Sequence, residues 1–230
     1  MLGARRVVRD FLPGSAQLYE HIRHLQRKRL SRPLIDSMAA SGEPIRLDIG
    51  SGGRRGSGGW TTVDTVYGCD LYWDLRDGIP FAPDSVTAIY SSHLFEHLTF
   101  TDGQALMRDC YRVLRPGGTF SIVVPDARLY IEGYLGIREI PSEYFGWAPA
   151  YNNTTAIDAV NYVAFMGGEH RYLFDQENLI HRLKLAGFTD AHPREFDPEI
   201  DMAERDYESI YAEGSKPVIA GRPLSGDSRA

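Results

Sequence analysis

Between Gly50 and Gly59 the chain places six glycines in ten residues, Gly50-Ser51-Gly52-Gly53-Arg54-Arg55-Gly56-Ser57-Gly58-Gly59, directly after the strand-like Ile45-Arg46-Leu47-Asp48-Ile49. At a strand's carboxyl end such a loop brings backbone N–H groups close to a bound molecule, because no Cβ holds them apart. The strand-like Trp60-Thr61-Thr62-Val63 follows and finishes at Asp64, an acid placed to accept hydrogen bonds from ribose hydroxyls. Strand, glycine loop, strand and acid imply a parallel α/β sheet with a nucleoside cofactor at its edge. A dinucleotide fingerprint, G-x-G-x-x-G with an acid about 20 residues further on, is excluded by spacing. Counted from Gly50 its last glycine falls on Arg55, and Asp64 comes twelve residues after Gly52. The Gly50 to Trp60 crossover also has little room for a long helix, so a loop is expected in its place.

At 230 residues and 43% apolar content the chain can bury a full core as one α/β domain with additions. No apolar run reaches the roughly 20 residues of a membrane helix, and the start lacks a secretory apolar segment, so a soluble cytoplasmic protein is expected. Cys69 and Cys110 are too few for a disulfide framework and are not spaced for zinc; both are expected as buried small hydrophobes. Residues 1–32 hold Arg5, Arg6, Arg9, Arg23, Arg27, Lys28, Arg29 and Arg32 against Asp10 and Glu20, so the rest is more acidic than the net −6 shows. That basic run reads as a solvated helix face, with peripheral membrane contact as the alternative. The acidic body argues against nucleic acid as a partner.

Leu18, Ile22, Leu25 and Leu30 follow helical spacing after Ser15, giving an amphipathic N-terminal helix that ends near Pro33. Further strands are expected at Leu71 to Trp73, Val86 to Ser91, Thr119 to Val124, Phe188 to Phe196 and Ser209 to Lys216, about seven in all. Thr101 to Gln104 reads as a capping box for a helix with Leu106, Cys110, Val113 and Leu114 inward, stopping at Arg115-Pro116-Gly117-Gly118. Asp175 caps a helix with Leu179, Ile180 and Leu183 inward, ended by Gly187. Residues 1–44 form a helical extension, 45–217 the main domain, 136–168 an insertion capping a substrate site after the fifth strand, and 218–230 a polar tail. A helix is expected around Ala156 to Phe165 within that insertion.

Leu47-Asp48-Ile49-Gly50-Ser51-Gly52 resembles the first motif, D-x-G-x-G-x-G, of class I S-adenosylmethionine-dependent methyltransferases, with Arg54 where the last glycine would stand. Gly59-Trp60-Thr61-Thr62-Val63-Asp64 is similar to the G-W-x-x-V-D of a methyltransferase type 11-like branch. Asp74-Leu75 with Ile79-Pro80-Phe81, Ser91 to Leu98 with its Glu-His-Leu, and Tyr111 to Gly118 add to the likeness, which spans about Arg46 to Pro217. The resemblance implies a Rossmann-like doubly wound sheet with the last strand antiparallel. It also implies that Asp48, Gly50 and Gly52 hold the methionine part of S-adenosylmethionine, Asp64 the ribose and Asp74 with Leu75 the adenine edge, while Ser91 lines the cleft near the sulfonium.

His93, Glu96 and His97 stand at i, i+3 and i+4, on one face if the segment is helical. His170, in Gly-Gly-Glu-His-Arg-Tyr, resembles the histidine of ubiquinone-pathway O-methyltransferases and small-RNA 2′-O-methyltransferases. By that likeness His93, Glu96, His97 and His170 hold a divalent metal. With His93 in place of a Glu, mixed nitrogen and carboxylate ligands suit Mn²⁺, Zn²⁺ or Fe²⁺ better than Mg²⁺. Without metal, His97 or His170 is the best general base, and the other histidines, His21, His24, His181 and His192, are expected at the surface. Tyr144, Phe145, Trp147 and Tyr151 form either an aromatic platform for a sugar or planar acceptor, or the packing of the insertion. The reading is O-methylation of a small-molecule hydroxyl, a saccharide or secondary metabolite. The competing readings are a nicotinamide-dependent oxidoreductase, lacking a Tyr-x-x-x-Lys pair, and a non-catalytic methyltransferase-like binding module.

Overall fold

A computed structural model describes residues 15–147 and 154–218, with side chains from residue 25 onward. Arg5, Arg6, Arg9, Asp10, Pro149, Tyr151, the tail from 219, and the side chains of Ser15, Leu18, Glu20, His21, Ile22, Arg23 and His24 lie outside the described residues. In chain order the elements are α1 (Ser15–Ser41), β1 (Arg46–Ile49), β2 (Trp60–Asp64), β3 (Leu71–Tyr72), β4 (Val86–Ser92), α2 (Phe100–Val113) and β5 (Leu114–Pro125). They continue as α3 (Ala127–Tyr134), α4 (Ile157–Phe165), α5 (Gln176–Ala186), β6 (His192–Pro193) and β7 (Ser209–Ser215).

Seven strands form one sheet in the order β3-β2-β1-β4-β5-β7-β6, parallel except that β7 runs against both β5 and β6. Residues 50–59, all described, contain turns and no helix, as the short crossover required. Strand parity then sorts side chains to two faces. Leu47, Ile49, Ile89, Phe120, Ile122 and Val124 enter the main core with Leu106, Met107 and Cys110 of α2 and Leu179 and Leu183 of α5. On the other face Tyr90, Val123 and Tyr211 pack with Trp60, Phe196 and Ile200, where irregular chain stands in place of a crossover helix. Both cysteines are free and buried. Among the described residues no helix is long and apolar enough to cross a membrane.

Several local expectations change. α1 runs through Pro33 to Ser41 and stops at Gly42, whose φ of +73° ends it. A proline fits helical φ and forfeits one N–H bond; anchors on both sides offset that loss, Ser31 Oγ donating to the Tyr72 carbonyl at 3.1 Å and Ile35 entering the core. Leu25 and Leu30, expected inward, are exposed. The contact face is basic instead: Lys28 and Arg32 lie 4.1 and 5.1 Å from the Trp73 ring, Arg27 lies 5.1 Å from Tyr72, and Lys28 pairs with Asp77 at 2.7 Å. Cations over aromatic faces, with their stems covering apolar surface, cap the β3 edge. Part of the basic run is therefore spent on the fold.

Thr99, and not Thr101, caps α2 by accepting from Asp102 N at 3.2 Å, while Gln104 is buried and donates to the Arg182 carbonyl at 3.2 Å. β5 begins at Leu114, paired with Val86, and a register shift precedes the Ala88–Thr119 pair. The strand expected over Phe188 to Phe196 shrinks to His192–Pro193, because Phe188 turns into the core against Tyr111 and Phe120. α3 was not anticipated; Asp126 caps it by accepting from Arg128 N at 3.0 Å. α3 and α4 share a small core of Ala127, Leu129, Tyr130, Tyr162 and Val163, with Tyr144 and Phe145 against it.

Candidate active site

The parallel strands β2, β1 and β4 end at one edge, the crevice where open α/β sheets bind ligands. Gly50, at the end of β1, has φ of +73°, and a Cβ there would come within 2.7 Å of the Leu94 side chain, so only glycine lets the two segments close together. Asp64, at the end of β2, accepts from Gly52 N at 2.8 Å and from Thr65 N and Val66 N at 2.6 and 2.9 Å. Asp74 accepts from Arg76 N and pairs with the Arg76 guanidinium at 2.6 Å. Both acids thus already cap turns, and both line a cavity of about 300 Å³ with Gly50, Trp73, Leu75 and His97. Ser91 is fully buried and its Oγ has no hydrogen-bond partner among the described residues.

Asp48 does not line that cavity. Its register with Thr62 and Tyr90 puts all three on one face of the sheet, where they line a second cavity of about 290 Å³ with Arg54 and Met202. Asp70, which no motif marked, pins the loop here by accepting from Gly56 N at 2.7 Å and from Thr62 N and Oγ1 at 3.1 and 2.8 Å. Burial pushes the Asp48 carboxyl from 3.8 up to about 6, with Arg54 pulling it down and Asp64 pushing it further up. The folded state therefore binds this proton more tightly than the unfolded chain. The resulting stability is full below pH 3.8, is lost as pH rises through 6, and ionised Asp48 costs about 3 kcal/mol at neutral pH. Asp48→Asn is expected to raise the urea midpoint at neutral pH and to remove the fall in stability between those two pH values. An unaltered pH–stability profile would contradict it.

The segment after β4 is not an α-helix: His93 has φ of +52° and Phe95–His97 make one 3-10 turn, so the i, i+3, i+4 face does not form. Folding nevertheless brings Glu96, His97 and His170 together, each with a ligand-type atom within 4.8 Å of the others. His97 Nδ1 donates to the Glu169 carbonyl at 3.2 Å and His170 Nδ1 to the Val163 carbonyl at 2.7 Å. In the neutral rings that pairing leaves each Nε2 its lone pair, and both buried Glu96 oxygens lack a hydrogen bond among the described residues. Histidines oriented by carbonyls beside a buried carboxylate are an outer-shell arrangement that suits a divalent metal. His93 is outside this group. Its Nε2 meets Ser209 Oγ at 2.9 Å, the Ser209 hydroxyl itself donating to the Arg205 carbonyl, and its Nδ1 faces Glu96 at 3.4 Å.

Burial alone would push the Glu96 carboxyl up, but His93 and His97 outweigh it and hold it below the usual carboxylate range. Burial pushes the His170 imidazole down, against the pull of the Val163 carbonyl and Glu96. The cluster opens on a third cavity, about 400 Å³, with Trp147, Tyr162, Tyr207, Glu169, Arg205 and Glu208 in its wall. The expected aromatic platform divides: Trp147 is exposed at this cavity, Tyr144 stacks on Tyr207 with centroids 4.6 Å apart, and Phe145 packs inward on Tyr130 and Tyr162. His97 and Glu169 line both this cavity and the one at Asp64. Glu169, Ser209 and the Tyr207–Glu208 pair come from distant sequence and had no local signal.

Residues 73–122 match the family described as methyltransferase domain. A curated relative, the uncharacterized protein YBR225W of Saccharomyces cerevisiae, is 30% identical over 135 residues, covering 54% of this chain and 14% of that relative's length. Among solved structures, a SAM-dependent methyltransferase from Archaeoglobus fulgidus is 16% identical over 88% of this chain and 100% of its own, with a TM-score of 0.48. The Haloferax volcanii complex between the Trm112 methyltransferase activator and a putative methyltransferase gives 14% identity, 85% and 94% coverage and a TM-score of 0.47. The family match runs from the end of β3 into β5, through the strand and turn that carry Glu96 and His97, on a seven-stranded sheet with one reversed strand. Over residues 73–122, within this seven-stranded sheet, the chain is similar to a methyltransferase domain.

Proposed function

We propose that this chain is an S-adenosylmethionine-dependent O-methyltransferase acting on a hydroxyl of a small molecule, with a saccharide as the acceptor class. The observation that carries the reading is the junction at His97 and Glu169 of two cavities, one against Gly50, Asp64, Asp74 and Leu75, the other against the Glu96 and histidine cluster. The residues fit the cofactor: Gly50 makes a wall no side chain could occupy, and the Asp64 carboxylate lines the same cavity as Asp74 and Leu75, where the ribose and adenine would lie. Bound there, the cofactor supplies an electrophilic methyl group.

The chain's own work is to align the acceptor and remove its proton. Without a metal, His97 or His170 presents a basic Nε2 to take that proton, burial favouring the neutral ring of His170. A divalent metal fits Glu96, His97 and His170, and would lower the pKa of the acceptor hydroxyl. Trp147, Tyr162 and Tyr207 offer ring faces beside polar Glu169, Arg205 and Glu208, a wall suited to a sugar with one apolar face.

Transfer of labelled methyl groups should be measured across saccharide, phenolic and RNA acceptors, in excess chelator and after returning Mn²⁺, Zn²⁺ or Mg²⁺. Transfer to a saccharide hydroxyl is expected, abolished by the chelator and restored by an ion. Full turnover in chelator would remove the metal and leave the histidine base; transfer confined to RNA or phenols would remove the saccharide.

A further inference from the structure

We infer that the acceptor carries a cationic group beside its reacting hydroxyl: an amino sugar whose ammonium is held by the Trp147 and Tyr207 rings and the Glu169, Glu204 and Glu208 carboxylates. The inference rests on the saccharide reading above and narrows its substrate class. With the three histidines of the wall, His93, His97 and His170, neutral, the cavity at the Glu96 cluster is unbalanced in charge. Glu96, Glu169, Glu204 and Glu208 stand against Arg205 alone. A divalent ion on Glu96, His97 and His170 would still leave the carboxylates in excess. A neutral sugar leaves that excess unmatched, and an acidic one adds to it.

Glu204 and Glu208 belong to the 3-10 segment Ala203–Glu208 that leads into β7, and Arg205, in the same segment, offsets one of the two. Glu208 is fixed there. Its backbone carbonyl accepts from Asp126 N at 2.7 Å, and its Oε2 accepts from the Tyr130 hydroxyl at 2.8 Å. Burial and the Glu208 charge push the Tyr130 phenol up, so Tyr130 stays a neutral donor and leaves that charge uncompensated. Among the described residues none of Glu169, Glu204 and Glu208 forms an ion pair. Glu96, 2% exposed on the same wall, has neither oxygen hydrogen-bonded among those residues. Beside these acids Trp147 is 58% exposed, and Tyr207, stacked on Tyr144 with centroids 4.6 Å apart, is still 37% exposed. An ammonium is drawn to the negative faces of such rings and to carboxylates together, whereas a neutral hydroxyl gains less from either.

Methyl transfer should be measured on the methyl glycosides of glucosamine and galactosamine and on their N-acetyl, neutral and uronic acid counterparts, with the methylated atom located by NMR. The amino sugars should be methylated on oxygen with kcat/KM about tenfold or more above the neutral and N-acetyl sugars, and the uronic acids should be poorest. Glu204→Gln and Glu208→Gln should each lower the ratio of amino to neutral sugar by about 3- to 10-fold. Glu204, exposed and without an ion pair, keeps the test open if losing the Tyr130 contact unfolds Glu208→Gln. Equal turnover of amino and neutral sugars, a preference for the uronic acids, methylation on the amine nitrogen, or an unchanged ratio in folded Glu204→Gln overturns the ammonium site and leaves the saccharide reading standing. Methylation of none of these sugars overturns both.

Discussion

Replacing His170 with alanine is expected to lower kcat for methyl transfer by about 10²–10⁴-fold, the range for loss of a positioned acid–base group. S-adenosylhomocysteine should still bind, since His170 lines only the cavity away from Asp64 and Asp74. The effect should be large because the ring is held in one tautomer: Nδ1 is committed to the Val163 carbonyl at 2.7 Å, and Nε2 remains free near Glu96 and His97. His97 is fixed in the same way by the Glu169 carbonyl, and the two rings meet edge-on with centroids 5.0 Å apart. Groups acting as a unit are non-additive, so His97→Ala with His170→Ala should lose little more than the more damaging single variant. Single-turnover kinetics on the three variants would check this, and full kcat in His170→Ala would remove the residue from the chemistry.

Phe120→Ala is expected to cost about 3–5 kcal/mol, the usual range for deleting a buried aromatic ring. Phe120 is fully buried on β5, with ring centroids 5.9 Å from Phe95 and 5.7 Å from Phe188. Against a net stability of about 5–15 kcal/mol for an ordinary domain, that loss is large. A lowered urea midpoint with an unchanged slope is the expected readout. Phe95 opens the turn that carries Glu96 and His97, so activity should decline below the unfolding temperature. A midpoint within error of wild type would contradict the placement of this ring at the centre of the core.

The strand endings were legible because their signals are local. Arg46 to Ile49 and Trp60 to Asp64 alternate between faces, and the glycines between them leave too few residues for a helix, so the loop crossover could be read directly. Pro33 misled because proline marks a helix end only when nothing holds the far side, and Ser31 and Ile35 hold it against the β3 edge. Phe188 misled because an apolar run reads alike in a strand and in a turn that drops one ring into a core.

The His93, Glu96 and His97 spacing drew attention to the right segment for a helix that does not form. A positive φ at His93 and a 3-10 turn replace it, and His170 and Glu169 then arrive from beyond the insertion. Asp48 belonged to the motif by position, yet it lines the cavity with Arg54 and not the one at Gly50.

By itself the sequence determined the order of the strands, the parallel sheet and the glycine edge, because hydrophobic period, turn residues and crossover length act between neighbours in the chain. Which polar groups share a cavity was decided only by the tertiary structure. Glu96, His97 and His170 meet, His93 turns to Ser209, and Asp48 faces Arg54, because long-range packing sets side-chain direction and which lone pairs carbonyls consume.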